Sequence, residues 1–171
     1  MTDDAYTPAE IAQRVENLGL AKAKLGTLKL LLLAVLAGVF ISMGALFFLL
    51  VTSESGLSFG LTRLIGGLAF SLGLILVVIA GAELFTGNNL VAMAWADRKI
   101  TSRELLRNWL LSYAGNVVGC LLTVLLVWLA DIDALNQGAV GKSALQVAQA
   151  KISLTFLQAF VRGILCNALV C

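Results

Sequence analysis

Three stretches of this chain carry no charged side chain: 30–53, 64–82 and 108–130. Each is as long, or nearly as long, as a helix needs to be to cross a hydrocarbon core of about 30 Å. Lipid offers no hydrogen-bond partner to a bare peptide group, so such runs must close their own backbone bonds as helices or as a closed barrel. The apolar–polar alternation of a barrel strand is missing. The chain therefore reads as an all-α integral membrane protein. Spans are expected at about 30–51, 64–96 and 108–130, with an incomplete fourth over 152–171.

The second span contains an interruption. After Leu64 to Ala82 come Glu83-Leu84-Phe85-Thr86-Gly87-Asn88-Asn89, where a helix would still be crossing the bilayer. Irregular backbone at that depth is tolerated only where protein or a water-filled cavity surrounds it. A broken helix with polar residues at the break is a candidate pore or binding site. The break is expected over 84–89. Leu90 to Ala96 is too short to cross alone and reads as the completion of the interrupted span.

The net charge of +2 is too small to point to nucleic acid, and its distribution says more. Arg14, Lys22, Lys24 and Lys29 precede the first span, and Arg98, Lys99, Arg103 and Arg107 lie between the second and third. Arg63 is the one Lys or Arg between spans one and two, and Lys142 and Lys151 follow span three. The positive-inside rule then puts the N-terminus and the second loop in the cytoplasm. A cleavable signal peptide is not expected, because the first apolar run starts late and is too long for an h-region.

Residues 1–29 form the polar N-terminal unit, ahead of a membrane domain over 30–171. Thr7-Pro8-Ala9-Glu10 has the form of a capping box with proline at the first helical position. Ile11, Val15, Leu18 and Leu25 share a face of the helix that follows, which either lies on the cytoplasmic membrane surface or packs on the rest of the protein. Gly38, Ser42 and Gly44 in span one, and Gly115 and Gly119 in span three, favour close helix contacts. Gly66, Gly67, Ala69, Ser71 and Gly73 leave span two lean, for close packing or for a pore. Phe70 and Leu74, one turn apart, share a face of it. Residues 131–150 read as a polar loop. Cys120, Cys166 and Cys171 sit in apolar sequence without paired spacing and read as buried thiols.

The chain has no histidine, no Cys-x-x-Cys, no phosphate-binding glycine loop and no helical metal motif. Glu83 is the only acid within the apolar segments, so an enzyme has no support and no cofactor is implied. Left in lipid, that carboxylate would cost about 2.5–3.5 kcal/mol on insertion scales. It is either a pore-associated group that fixes the broken backbone or an interfacial residue at the end of a span. An anion pathway favours the first role, because a bare carboxylate repels anions. Thr86 either turns its hydroxyl to a passing solute or caps backbone freed by the break. A helix resuming after Gly87 would aim N–H groups at the pore, which suits an anion. Lys151 draws anions into an outer vestibule or snorkels. Asn167 lines a pore or bonds between helices, and Arg162 reads foremost as a subunit contact or a snorkelling flank.

Several stretches in order resemble the formate/nitrite transporter family: Ala37-Gly38-Val39-Phe40-Ile41-Ser42, then Gly66 to Leu74, then Gly81-Ala82-Glu83-Leu84-Phe85-Thr86-Gly87. Arg107-Asn108-Trp109, Gly115 to Gly119 and Gly163 to Cys171 continue the match. The resemblance implies a homopentamer of aquaporin-like protomers in a bacterial inner membrane. Each protomer is an inverted-repeat helical bundle with its own pore for a small anion, formate or nitrite, or hydrosulfide, with formate favoured. It places Leu84, Phe85 and Thr86 in the loop that breaks the second helix. Phe70, Leu74, Leu84, Phe85 and Val170 match the narrow apolar parts of the pore, Lys151 the vestibule lysine and Asn167 the pore asparagine. The family's fifth and sixth helices and its pore histidine have no counterpart here. The chain is therefore expected to be the N-terminal half plus part of the fourth helix, a truncated reading of a family member, with a non-transporting membrane fragment as the alternative to a channel.

Overall fold

The computed structural model describes residues 5–170. Among them every regular element is helical. The helices are α1 (Pro8–Ala23), α2 (Thr27–Thr52), α3 (Phe59–Ala80), α4 (Phe85–Asn88), α5 (Val91–Ala96), α6 (Ser102–Leu129), α7 (Ala139–Ile152) and α8 (Phe156–Val170). A single 3-10 turn, Ile132–Ala134, lies between α6 and α7. By length and composition α2, α3 and α6 can each cross a membrane.

Helix α1 starts where its capping box says it should. The Glu10 carboxylate accepts the Thr7 N–H at 2.7 Å, and the Thr7 hydroxyl accepts the Glu10 N–H at 3.4 Å. Thr101 and Glu104 repeat the device at the start of α6. α1 then packs on α5: Gly19 and Ala23 are buried, and Ala23 joins Val91, Ala94, Ile100 and Leu105 in one apolar cluster. The packed face is not the apolar stripe read from the sequence. Ile11 and Leu18 stay exposed, while the small residues let the two helices close. Lys99 pairs with Glu16 of α1 and, at 2.8 Å, with Asp97. Hydrogen bonds to Asp97 and then Glu16 hold its ammonium above the usual lysine range.

The bundle core forms where α2 meets α6 on one side and α3 on the other, and small residues make both contacts. A Cβ on Gly119 would lie 2.1 Å from the Val35 carbonyl oxygen, and one on Gly38 would lie 2.3 Å from that of Asn116. In lipid no hydrophobic force presses helices together, so this backbone proximity, with its dispersion contacts, holds the pair. In α3 the buried residues are Gly66, Ala69, Gly73 and Val77, so its lean half serves close packing on α2. Large apolar side chains such as Val78, Ile79, Leu110 and Leu126 face outward.

Two expectations need correction. Residues 131–150 are mostly not a loop: α7 occupies 139–152 and buries Ala139 and Val140. Its run of Ala, Gln, Lys and Leu favours a helix, and polarity without an apolar run concealed it. Helix α8 begins at Phe156, not near Lys151, and leaves α7 at an angle of 108°. The start of α8 is set by a third capping pair, in which Thr155 N–H donates to Gln158 Oε1 at 3.1 Å and Gln158 N–H to Thr155 Oγ1 at 3.4 Å. Of the cysteines, Cys120 is half-buried and Cys166 is exposed, since α8 touches the bundle along little of its length. Cys171 lies outside the described residues.

Candidate functional site

The interruption in the second span begins earlier than the expected 84–89. α3 ends at Ala80, and Gly81 takes the left-handed conformation at φ +62°. That φ is cheap for glycine alone among common residues and ends the helix cleanly. Ala82 to Leu84 follow as non-helical chain, with the Glu83 N–H donating to the Leu33 carbonyl of α2 at 3.1 Å. Helix geometry resumes at Phe85, not after Gly87, and lasts four residues. The Phe85 N–H is already taken, by Asn116 Oδ1 at 2.9 Å.

A buried polar cluster holds this stretch. Glu83 is 5% exposed and is met by Lys22 of α1, whose Nζ lies 2.9 Å from both carboxylate oxygens. The same ammonium donates to Asn88 Oδ1 at 2.9 Å, so its three donors are all committed. Asn88, fully buried, presents Nδ2 to Glu83 Oε2 at 2.8 Å, Ser112 Oγ at 2.8 Å and Asn108 Oδ1 at 3.1 Å. Asn108 returns a bond to the Lys22 carbonyl at 3.1 Å, and Trp109 Nε1 donates to the Asn88 carbonyl at 3.0 Å. Glu83 is thus a buried, paired carboxylate at the broken backbone. Its charge is compensated inside the protein.

The residues singled out from sequence divide into groups. Phe85 and Thr86, both half-buried, line a crevice of about 640 Å³ with Asn89 and, from α8, Phe160, Gly163 and Asn167. Phe85 is also packed edge-to-face on Tyr113, ring centroids 5.4 Å apart. Leu84 turns to the core and packs on the Ala37–Val77–Ala82 cluster. Phe70 and Leu74 lie exposed on α3, and Leu74 lines a shallow apolar groove of about 310 Å³ with Ser71, Ile75, Val78 and Ile79. Lys151 is exposed in the last turn of α7, and Val170 is exposed at the end of α8. One crevice therefore brings Phe85, Thr86 and Asn167 together; Phe70, Leu74, Leu84, Lys151 and Val170 do not line it. Arg162 is exposed on α8.

Sequence reasoning missed the supporting set: Lys22, Asn88, Asn108, Ser112 and Asn116. A signal was present. Asn108, Ser112 and Asn116 recur every fourth residue, a polar stripe within the uncharged run 108–130. Arg107, next to that stripe, closes the turn between α1 and α2 by donating to the Leu25 carbonyl at 2.9 Å and Thr27 Oγ1 at 2.8 Å.

A family model described as formate/nitrite transporter matches residues 9–171. The formate channel FocA of Escherichia coli strain K12 is 44% identical over 169 residues, covering 98% of this chain and 59% of that protein. The formate channel FocA of Haemophilus influenzae is 39% identical over 168 residues, with the same two coverages. A solved structure, a pentameric formate channel with formate bound, superimposes with a TM-score of 0.77 at 39% identity, covering 85% of this chain and 57% of its own. The chain thus spans about three-fifths of the length of these curated relatives.

Proposed function

Because the chain belongs to the formate/nitrite transporter family, we propose that the protein carrying it conducts small monovalent anions of weak acids, formate first, through a pore in each protomer of a homopentamer in a bacterial inner membrane. The observation that carries this reading is the broken α3–α4 connection, held by a charge-compensated buried cluster beside a crevice shared by Phe85, Thr86 and Asn167. With Glu83 paired to Lys22, no bare carboxylate faces an approaching anion.

In this proposal residues 1–29 are a cytoplasmic unit and 30–171 belong to the membrane domain, the first half of an inverted-repeat, aquaporin-like bundle. Phe70, Leu74, Leu84, Phe85 and Val170 form the narrow apolar parts of the pore. Thr86 and Asn167 are its polar contacts, and Lys151 attracts anions at the outer vestibule. A naked anion pays heavily for desolvation at an apolar ring, and its neutral acid pays far less. Lysine at the mouth concentrates the anion and assists its protonation. The orientation is supported by the packing of α1 against α5 and α6, which gathers Lys22, Lys99 and Arg107 at one end. By the positive-inside rule that end is cytoplasmic.

The test is anion flux into proteoliposomes carrying the full-length protein. Formate is expected to enter faster than nitrite or hydrosulfide, and a Thr86→Ala, Lys151→Ala double variant to lose at least about tenfold in rate, equivalent to roughly 1.4 kcal/mol of barrier. Equal flux from that variant would remove the two roles, and faster nitrite than formate entry would reassign the substrate.

A further inference from the structure

The short extended stretch around Leu84 is tied at both ends by one side chain. Asn116, on the polar stripe of α6, accepts the Phe85 N–H at Oδ1 (2.9 Å). Its Nδ2 donates to the Glu83 carbonyl at 3.0 Å and to the Ala34 carbonyl of α2 at 2.8 Å. A single amide thus joins α6, α2 and the two peptide groups that flank Leu84. It uses both faces of its polarity: an acceptor for the first free N–H of α4, and two donors for carbonyls left outside helical bonding. No carboxylate and no apolar residue can do both. Tyr113, three residues earlier on α6, packs on the Phe85 ring. The Lys22–Asn88 pair holds the same stretch through the Glu83 carboxylate, whereas Asn116 holds it through the Glu83 carbonyl.

We propose that Asn116 is a positioning residue for the constriction: it fixes Leu84 and Phe85 relative to the bundle and so sets the size of carboxylate that passes. This rests on the functional reading given above. An apolar ring selects by size only while its side chains are held to within a fraction of an ångström, and second-contact hydrogen bonds are what hold them. Loss of the amide frees the extended stretch without removing any side chain that would face the solute.

The experiment uses the full-length protein with Asn116→Ala and the near-isosteric Asn116→Asp, which keeps the acceptor for Phe85 but loses both donors. Two quantities are read: the ratio of formate to lactate flux in proteoliposomes, and hydrogen exchange at the Phe85 amide. The ratio is used because an added charge acts on both monoanions alike. Asn116→Ala is expected to lower the ratio roughly fivefold, the scale of one net hydrogen bond, and to speed Phe85 exchange. Asn116→Asp is expected to give an intermediate ratio with Phe85 exchange near that of the parent. Fluxes that fall by a common factor would overturn the selectivity role. Unchanged Phe85 exchange in Asn116→Ala would overturn the positioning role, and this readout needs no transport. Failure of both variants to fold would make Asn116 a general structural bond and would also overturn the proposal. Absence of formate flux from the parent protein would instead refute the functional reading, leaving the exchange result to judge the positioning.

Discussion

Replacing Lys22 by methionine keeps the apolar stem of the side chain and removes its ammonium. Glu83, 5% exposed, would then keep Asn88 Nδ2 as its one remaining side-chain donor among the described contacts. Removing one partner of a buried ion pair costs about 3–5 kcal/mol, because the other charge stays buried without compensation. The Lys22 side chain is 31% exposed, so water reaches the vacated space and the lower end applies. We expect about 3 kcal/mol, roughly a hundredfold in the folding equilibrium. Neutralising the stranded acid as well, in Lys22→Met with Glu83→Gln, should recover about 2 kcal/mol of that, a coupling that a double-mutant cycle isolates. The assay is equilibrium unfolding of the full-length protein in mixed micelles, followed by tryptophan fluorescence. Trp109 reports locally, since its indole N–H donates to the Asn88 carbonyl at 3.0 Å. A Lys22→Met variant within about 0.5 kcal/mol of the parent, the scatter of ordinary surface changes, would refute the reasoning. So would single-variant costs that simply add.

Two further outcomes follow from packing and capping. Gly119→Ala places a Cβ 2.1 Å from the Val35 carbonyl oxygen and should separate α2 from α6, costing about 1–3 kcal/mol in the same unfolding assay, whereas Gly60→Ala, where a Cβ meets nothing within 4 Å, should stay within about 0.5 kcal/mol. Glu10 has its carboxyl held below the usual range by the Thr7 N–H and then by the Thr7 hydroxyl; a depressed acid stabilises above its unfolded pKa of about 4.3 and loses that contribution as pH falls through the folded value. Hydrogen exchange in the first turn of α1, corrected for intrinsic rates, should therefore speed up on acidification in the parent and depend less on pH in Thr7→Ala; an identical pH dependence in both would remove the capping account.

Much of the scaffold was legible because its causes are local. Uncharged runs fix where a helix is long and apolar enough to cross a bilayer, and Thr7-Pro8-Ala9-Glu10 fixes where α1 begins. Gly115 and Gly119 announce a close contact because nothing larger fits there. The two misreadings had local causes too. In 139–152 a helix without an apolar run passed for a loop, and the Thr155–Gln158 capping pair behind the 108° turn went unused. The contact of α1 with α5 was not legible, because small residues, not large apolar ones, make it.

Sequence by itself therefore determined the class of the protein, its apolar helices and the fact of a break near Glu83, since each follows from chain composition over a few turns. Tertiary structure alone decided what holds that break. Lys22 is 61 positions from Glu83 in the chain, and Asn116 is 31 from Phe85. No local rule pairs groups so distant; the pairing exists because glycines let α2 and α6 close to backbone contact and because α1 folds back over α5. Burial then does the rest: a carboxylate and a freed N–H that lipid cannot satisfy must find partners within the bundle, and the helices that come close enough supply them.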